Sequence, residues 1–228
     1  MFQLENLSKT YPHRKKVVYA LREINATISD GEFVAVVGPS GSGKSTFLLT
    51  LGGMLSPSEG KVILDGHSMY DFDVTSLAAF RRQKLGFVFQ TFNLIPYLTA
   101  LENVQIPLYL SAHTDKAQEE KATDLLVRVG LGERLDHKPS ELSIGQQQRV
   151  ALARMLANDP PLILADEPTG NLDPETSQSV LDFLETLHCE GKTIVMVTHN
   201  LQAASRAQRT IRLVDGAIDD GTSGRHDA

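Results

Sequence analysis

The stretch from Gly38 to Thr46 constrains this chain more than any other. It reads Gly-Pro-Ser-Gly-Ser-Gly-Lys-Ser-Thr and contains the pattern G-x-x-x-x-G-K-[ST] between Gly38 and Ser45. The segment before it, Glu32–Val37, is apolar and β-branched, as is typical of a buried parallel strand. The apolar residues that follow it at helical spacing are Phe47, Leu48, Leu51, Met54 and Leu55. A strand, a glycine-rich loop and a helix in this order predict a site that cradles phosphate groups.

Each residue type in this loop has a physical reason to be there. Glycines let backbone N–H groups curl around phosphate oxygens, and the helix that follows adds its positive N-terminal end. We expect Lys44 to reach the β- and γ-phosphates and the Ser45 hydroxyl to bind Mg²⁺. A chance Gly/Ser-rich turn would explain the loop but not its flanking strand and helix. The residues predicted to bind a nucleoside triphosphate are Gly38, Pro39, Ser40, Gly41, Ser42, Gly43, Lys44, Ser45 and Thr46.

Composition limits the classes of protein that remain. A chain of 228 residues, 41% of them hydrophobic, can build one α/β domain with a small subdomain. The net charge of −6 gives no global basic field, so we expect no nucleic-acid partner. The basic run at 13–16 is more typical of a solvated loop than of a lipid or phosphate contact. The lone Cys189 fits a reducing compartment and a packed position in a helix.

No signal peptide and no apolar run as long as a membrane span is found, so we expect any membrane role to come through a partner.

Strand patterns occur on both sides of a helical middle. Phe2, Leu4 and Leu7 alternate with polar residues and predict an edge strand that Tyr11-Pro12 ends. The other predicted strands are Val17–Ile28, Lys61–Leu64, Leu85–Phe89, Leu162–Ala165, Thr193–Val197 and Ile211–Val214. The helices predicted outside the middle are one capped by Thr75 or Ser76 that runs to Arg82, one over Glu175–His188 and one over Leu201–Ala207.

Helix signals dominate the middle, from Thr91 to Leu142. Thr99 and Glu102 form a capping box, and apolar residues within 116–129 share one face of a helix that Gly130 ends. We therefore predict a single domain over 1–228. Its core and β subdomain comprise 1–90 and 160–220, its helical subdomain 91–159, and a disordered tail 221–228.

Two further motifs suit phosphate chemistry. Ser143 to Gln146 is a second capping box, and a helix that begins with an exposed N-terminus can bind an anion. The apolar strand Leu162–Ala165 ends in two adjacent carboxylates, Asp166 and Glu167. Carboxylates at the end of a core strand, beside a phosphate loop, suit Mg²⁺ and an attacking water.

Together these motifs resemble the ATP-binding cassette (ABC) ATPases over nearly the whole chain. The motifs, in the family's order, are Walker A at Gly38–Thr46, the Q-loop at Gln90, the signature at Leu142–Gln146, Walker B at Leu162–Glu167, the D-loop at Asn171-Leu172-Asp173 and the switch histidine at His199. In one departure, Ile144 replaces the first glycine of the family's L-S-G-G-Q signature. The resemblance implies an α/β fold with a P-loop NTPase (RecA-like) core, an antiparallel β subdomain and an inserted helical subdomain.

The resemblance also implies catalytic roles, with ATP as substrate and Mg²⁺ as cofactor. Ser45 and Asp166 would hold Mg²⁺, and Gln90 would sense the metal and the attacking water. Glu167 would orient and deprotonate that water, and His199 would contact the γ-phosphate. Alone, His199 would be interpreted as an ordinary strand-end histidine and Gln90 as a solvated loop residue; the other motifs favour the functional roles.

Five further residues would complete the nucleotide site. Tyr11 stands in the place of the aromatic that stacks on adenine, although an aromatic before proline also simply pins a turn. Ser143, Gly145, Gln146 and Asp173 would act across a homodimer that sandwiches two ATP molecules, each between one Walker A loop and the other signature.

The residues after Gln90 are unusually apolar for a connecting loop, which we call the Gln90 loop (Gln90–Leu98). Exposed apolar loops mark docking surfaces, and in the family a membrane-spanning permease subunit docks here. The alternative is that these side chains only pack the helical subdomain against the core. The segment Gln90–Val104 is also similar to the branch that serves lipoprotein release and macrolide efflux, whose ATPases lie on the cytoplasmic face of the bacterial inner membrane.

The sequence leaves other function classes open. The same motor could drive a cell-envelope or cell-division regulator without moving a substrate. A soluble ABC ATPase acting on DNA or ribosomes would carry a coiled-coil insertion or a second cassette, and this acidic chain has neither. A small-molecule P-loop kinase would not need the signature or the switch histidine.

Overall fold

Two β-sheets organise the chain, which the computed structural model describes over residues 1–13, 16–110 and 114–219. The strands are β1 (Phe2–His13), β2 (Lys16–Ile28), β3 (Phe33–Val37), β4 (Glu59–Leu64), β5 (His67–Ser68), β6 (Leu85–Val88), β7 (Leu162–Asp166), β8 (Thr193–Val197), β9 (Arg209–Val214) and β10 (Ala217–Ile218). The α-helices are α1 (Lys44–Leu51), α2 (Val74–Lys84), α3 (Ala100–Gln105), α4 (Asp115–Arg128), α5 (Ile144–Leu156), α6 (Pro174–Cys189) and α7 (Leu201–Ala204).

The larger sheet carries the site at one edge. Its strand order is β10-β9-β3-β8-β7-β6, and every pairing is parallel except that of β10 with β9. β3 and β8 are wholly buried, as expected for central parallel strands rich in valine and isoleucine. Asp166 at the end of β7 pairs in register with Val197 at the end of β8, which in turn pairs with Val36. The loops that follow β3, β7 and β8 therefore emerge side by side, where open α/β sheets bind ligands.

The smaller sheet is antiparallel, in the order β2-β1-β4-β5. The prediction of an edge strand ending at Tyr11-Pro12 was wrong, because β1 lies between β2 and β4 and continues to His13. The pairing with β4 stops at Ser8, so beyond that point only β2 pairs with the strand. Pro12, which has no N–H to donate, is tolerated in this one-sided part of the ladder.

The two faces of the larger sheet bury separate hydrophobic cores. Phe33, Ala35 and Val37 point to the core formed with α3–α6, while Val34 and Val36 point to the core formed with α1 and the antiparallel sheet. The helices α3, α4 and α5 lie between β6 and β7 in sequence and pack on one another. The division into an α/β core and a helical subdomain at 91–159 stays a prediction, as does the tail at 221–228, which lies outside the described residues.

Helix ends agree with the sequence where capping boxes mark them. The boxes at Thr99 and Ser143 are both formed. The cap of α2 was predicted at Thr75 or Ser76, but Asp73 accepts a hydrogen bond from the Ser76 N–H and caps the helix two or three residues earlier. Cys189, predicted to be packed, is exposed as the last residue of α6.

Two other helices are shorter than their apolar patterns indicated. α1 ends before Gly52-Gly53, so Met54 lies outside it and is exposed. α7 ends at Ala204 instead of Ala207.

Asn103, on α3, holds the end of the Gln90 loop from inside the protein. The side chain is fully buried; its Oδ1 accepts from the Ile95 N–H, and its Nδ2 donates to the carbonyls of Ile95, Leu98 and Thr99. We expect Asn103→Ala to lower the free energy of unfolding by about 2 kcal/mol or more, because buried backbone groups lose their partners. Urea denaturation measures this, with Asn158→Ala, which removes a single 3.3 Å bond to Pro107, as control. Equal midpoint shifts in the two variants would contradict the assignment.

Candidate active site

The loop between β3 and α1 is shaped by two glycines that lie against neighbouring strands. A Cβ on Gly38 would lie 2.1 Å from the Leu213 carbonyl oxygen of β9. Gly43, the N-cap of α1, has a φ of +101°, and a Cβ there would lie 2.2 Å from the carbonyl oxygen of Ala20 in β2. Neither position tolerates a side chain, so glycine is required at both, as in the glycine-rich loops whose backbone N–H groups bind anions.

Two polar side chains of this loop are arranged for a ligand. Lys44 is almost fully buried, and its Nζ donates to the carbonyl oxygens of Gly38 and Pro39, both at 2.8 Å. The ammonium group is thereby folded over the loop. The Ser42 hydroxyl is also buried, and no partner for it exists among the described residues. An orphaned hydroxyl and an ammonium in a glycine-rich concavity fit a bound phosphate chain.

Ser45 and Asp166 meet across the mouth of the loop. The Ser45 Oγ donates to Asp166 Oδ1 at 3.3 Å. Burial raises the pKa of the Asp166 carboxyl, and the Glu167 charge adds to this, whereas the Ser45 hydrogen bond and the Lys44 charge oppose it. A cation bound here would favour the ionised carboxylate. A hydroxyl and a carboxylate form an all-oxygen donor set, which fits Mg²⁺.

Glu167 and His199 form the second polar pair of the site. Oε1 of Glu167 accepts a hydrogen bond from the His199 backbone N–H at 3.0 Å and lies 2.7 Å from the ring Nδ1. The Glu167 backbone has a φ of +46°, and its N–H donates to the Val197 carbonyl. This left-handed turn directs the carboxylate across to the end of β8. An uncommon backbone conformation held by neighbouring strands is typical of functional positions.

Gln90 follows β6 and lies against the loop after Glu167. Its carbonyl oxygen accepts from Asn171 Nδ2 at 3.1 Å. A Cβ on Gly170 would come within 2.9 Å of Gln90 Nε2, so the absence of a side chain at Gly170 gives the amide its room. The Q-loop and the D-loop motifs are therefore in direct contact.

The signature residues begin α5. Ser143 Oγ accepts from the Gln146 N–H, and Gln146 Oε1 accepts from the Ser143 N–H. Ile144 is the first helical residue and its side chain is exposed, so the departure from the family's glycine leaves the capping box intact. The atoms nearest to a Cβ on Gly145 belong to Thr176 of α6.

Asp173 and Tyr11 were predicted to touch the nucleotide, and the structure shows other contacts for both. Asp173 is the N-cap of α6, where hydrogen bonds from the Thr176 hydroxyl and N–H lower the pKa of its carboxyl. Tyr11 lies on β1 with its ring half exposed and the Lys9 ammonium 5.4 Å from the ring centroid. Their nucleotide contacts stay predictions.

The predicted site residues fall into two groups. The Walker A loop, Asp166, Glu167, His199 and Gln90 meet at the ends of β3, β6, β7 and β8. A cavity of about 370 Å³ opens beside Glu167 and His199 and is also lined by the first turns of α6 and α7. In the signature group at the start of α5, Ser143 and Gln146 are bonded to each other and Gly145 lies against Thr176 of α6.

Two residues with a position in this network were not singled out from the sequence. Gln148 is fully buried on α5, and its Nε2 donates to the carbonyl oxygen of Pro168, next to Glu167. Arg154, further along α5, donates to two carbonyls of the Gln90 loop. For Arg154 the available signal was a charged residue within the otherwise apolar run Val150–Leu156, whereas Gln148 follows two other glutamines and gave no such signal.

The fold and the site define a P-loop protein that binds and hydrolyses a nucleoside triphosphate. A model of the ABC transporter family matches residues 21–170. The chain therefore belongs to the ABC transporter family.

Similar proteins agree with this assignment. The ABC transporter ATP-binding protein MJ0796 of Methanocaldococcus jannaschii is 49% identical over 224 residues, 96% of this chain and 95% of that one. The macrolide export ATP-binding/permease protein MacB of Bartonella quintana is 46% identical over 94% of this chain, which spans 33% of that protein. The dimeric structure of MJ0796 in a post-hydrolysis state with ADP and Pi superposes with a TM-score of 0.90, covering 96% of this chain and 97% of that one at 46% identity.

These findings establish the class and its chemistry. The chain has the fold of an ABC ATPase cassette, as predicted, and it is the ATP-binding and ATP-hydrolysing subunit of an ABC transporter. In the described ranges, none of the helices has the length and hydropathy that a membrane crossing demands.

Proposed function

We propose that Glu167 and His199 carry hydrolysis and that the Walker A loop, Ser45 and Asp166 hold the phosphates and Mg²⁺. The observation that supports this most strongly is the 2.7 Å contact between Glu167 and His199, beside the Ser45–Asp166 pair at the same edge of the sheet. A carboxylate in this place accepts a proton from a water molecule that attacks the γ-phosphate. His199, held by Glu167, contacts the same phosphate.

The other residues position the reacting groups. Lys44 moves its ammonium from the loop carbonyls to the β- and γ-phosphates when ATP binds, since phosphate oxygens are stronger acceptors for a cation. Mg²⁺, when bound, neutralises charge on the phosphate oxygens. Gln90 orients the water and senses the metal from its position at Gly170. Tyr11 stacks on adenine.

The complete site requires a second copy of the chain. Phosphoryl transfer needs charge stabilisation on the γ-phosphate from the side opposite the phosphate loop. Ser143, Gly145 and Gln146 offer a capped helix N-terminus for this, yet within one chain Gly145 faces α6. A dimer that sandwiches two ATP molecules brings each signature to the other chain's loop, with Asp173 at the contact. The dimeric structures of MJ0796 support this arrangement.

The dimer powers a membrane-spanning permease subunit of the lipoprotein-release or macrolide-efflux type. MacB of Bartonella quintana is named as a combined ATP-binding and permease protein, and this chain corresponds to one third of its length. The chain therefore works at the cytoplasmic face of a membrane, held there by its partner. A partner that regulates the cell envelope without transporting a substrate would use the same motor.

A groove of about 730 Å³ between α2, β6 and α5 is the docking surface. Its floor includes Phe87 and Phe89, whose rings stack with centroids 5.5 Å apart. Arg81 and Arg82 line it, and none of its lining residues is acidic. Arg82 forms no ion pair within the described part of the chain. The groove therefore suits a segment that combines apolar side chains with a carboxylate.

The Gln90 loop borders this groove and divides into a packed and an exposed part. Leu94 packs against the hydrophobic core, so the interpretation of this loop as packing holds for that residue. Tyr97, by contrast, is 82% exposed, and Ile95 is also exposed. An aspartate at Leu94 would disturb the core, whereas one at Tyr97 changes only the surface.

We expect Tyr97→Asp and Arg82→Glu each to abolish co-purification with the permease subunit while the chain still folds and binds ATP. Loss of a desolvated aromatic or charge contact typically costs 2 kcal/mol or more, about thirtyfold in affinity. Lys116→Glu, at an exposed position on α4, makes the same charge change as Arg82→Glu away from the groove and should have no effect. Normal capture of the partner by both Tyr97→Asp and Arg82→Glu would place the docking surface elsewhere.

A further inference from the structure

Arg154 of α5 holds two consecutive carbonyl groups of the Gln90 loop. Its Nη1 donates to the Asn93 oxygen at 2.7 Å and its Nη2 to the Phe92 oxygen at 2.6 Å. The planar guanidinium presents these two donors in a fixed fork, which a lysine cannot reproduce. The contact joins residues 61 and 62 positions apart in the sequence.

The backbone that Arg154 contacts has an uncommon conformation. Phe92 and Asn93 have φ values of +58° and +49°, in the left-handed region. That conformation is unfavourable for a bulky residue such as phenylalanine and persists only where the surroundings hold it. Within the loop, the Asn93 N–H donates to the Thr91 carbonyl. The carbonyl oxygens of Phe92 and Asn93 themselves accept hydrogen bonds from Arg154.

The polar contacts of Arg154 go to the loop and not to a carboxylate. No carboxylate among the described residues pairs with it, and burial lowers the pKa of its guanidinium. The side chain is partly buried and lines the groove between α2, β6 and α5, so its guanidinium is only partly solvated. The two hydrogen bonds to the carbonyl oxygens of Phe92 and Asn93 are therefore the contacts from which a role for Arg154 can be argued.

These bonds connect the two groups of site residues. Gln90 lies at the nucleotide end of the loop, where its carbonyl oxygen accepts from Asn171, and Ser143 of the signature is the N-cap of α5. We propose that Arg154 is a positioning residue that ties the Gln90 loop to α5, so that a nucleotide-dependent displacement of Gln90 is passed to the signature end of that helix. This inference rests on the proposed role of Gln90.

A single tryptophan can report on the loop, because the chain contains none. Tyr97→Trp places it on the exposed part of the Gln90 loop. In this background the full-length chain carries Arg154→Met, which keeps the volume and removes both donors, or Arg154→Lys, which keeps the charge. Arg149→Met is the matched control, since that arginine lies on the same helix and makes one 3.4 Å bond to Val129. Fluorescence is titrated with ATP and Mg²⁺ in each chain.

We expect ATP to change the tryptophan fluorescence in the parent Tyr97→Trp chain and in the same chain carrying Arg149→Met. It should be lost in Arg154→Met and partly retained in Arg154→Lys. In chains with Tyr97 intact, Arg154→Met should lower kcat roughly tenfold with KM for ATP changed less than about twofold, the range expected for a residue that couples two sites. A melting temperature near that of the Arg149→Met chain separates this from general destabilisation.

Three results would overturn the proposal. One is an unchanged fluorescence response and an unchanged kcat in a folded Arg154→Met chain. Another is no ATP response in the parent, because the loop would then not follow the nucleotide. The third is an equal loss in Arg149→Met. Gln90→Ala distinguishes failure of this proposal from failure of the proposed role of Gln90. If Gln90→Ala lowers kcat and Arg154→Met does not, the role of Gln90 stands and only the proposed coupling through Arg154 fails.

Discussion

We expect the Glu167→Gln chain to bind ATP normally and to hydrolyse it about a hundredfold or more slowly. Glutamine keeps the size of the side chain and an oxygen that can accept from the His199 N–H, so the geometry at the end of β7 is preserved. What it lacks is the basic carboxylate that takes a proton from the attacking water. Lys44→Ala should instead weaken ATP binding itself, because it removes a positive charge from the phosphate loop.

Two measurements check this expectation. ATP binding is measured with a fluorescent ATP analogue and turnover by phosphate release. Glu175→Gln, an exposed carboxylate in the first turn of α6, is the matched control and should keep full turnover. Because hydrolysis is blocked after binding, the Glu167→Gln chain should also accumulate as an ATP-bound dimer in size-exclusion chromatography. Wild-type turnover in this variant would remove Glu167 from the reaction.

The sequence predicts best those features that depend on neighbouring residues. The phosphate loop, the capping boxes at Thr99 and Ser143 and the buried strand at Thr193–Val197 are each encoded within a few positions. In such segments local propensity and hydrophobic period agree, so the local pattern is sufficient.

Features that depend on distant partners could not be predicted. The position of β1 in the middle of its sheet depends on β4, more than 50 residues further along the chain. The left-handed backbone at Phe92 and Asn93 is hydrogen-bonded by Arg154, which no local pattern connects to the loop. Asn103 similarly appears in the sequence as an ordinary helical residue, although it makes four hydrogen bonds to the backbone of residues 95–99.

In the site, too, the residues could be predicted from local motifs, but their contacts with distant partners could not. Sequence motifs identify Glu167 and His199 separately, but their 2.7 Å contact follows from the parallel pairing of β7 with β8. Asp173 shows the converse, since its motif predicts a nucleotide contact and the structure shows a helix cap. Asp173 can both cap α6 and contact a nucleotide only if the first turn of α6 lies at the dimer contact. The composite site, shared between two chains, can be tested directly.

That test mixes two inactive chains. Lys44→Ala disables the phosphate loop, and Ser143→Asp disables the signature. Aspartate is as good an N-cap as serine, so α5 keeps its cap while a negative charge is placed where the γ-phosphate would bind. Thr99→Asp makes the same change in the capping box of α3 and should leave turnover unaffected.

If each ATP lies between one phosphate loop and the partner's signature, a mixed dimer has one site in which both elements are intact. Half of the dimers in an equal mixture are mixed, so turnover should recover to at most about one quarter of the wild-type value, although each chain alone is nearly inactive. The recovery should depend on exchange of subunits and should be absent when the two chains are crosslinked as homodimers before mixing. A mixture that never exceeds the mean of the two separate chains would show that Ser143 and Lys44 do not serve the same ATP across a dimer.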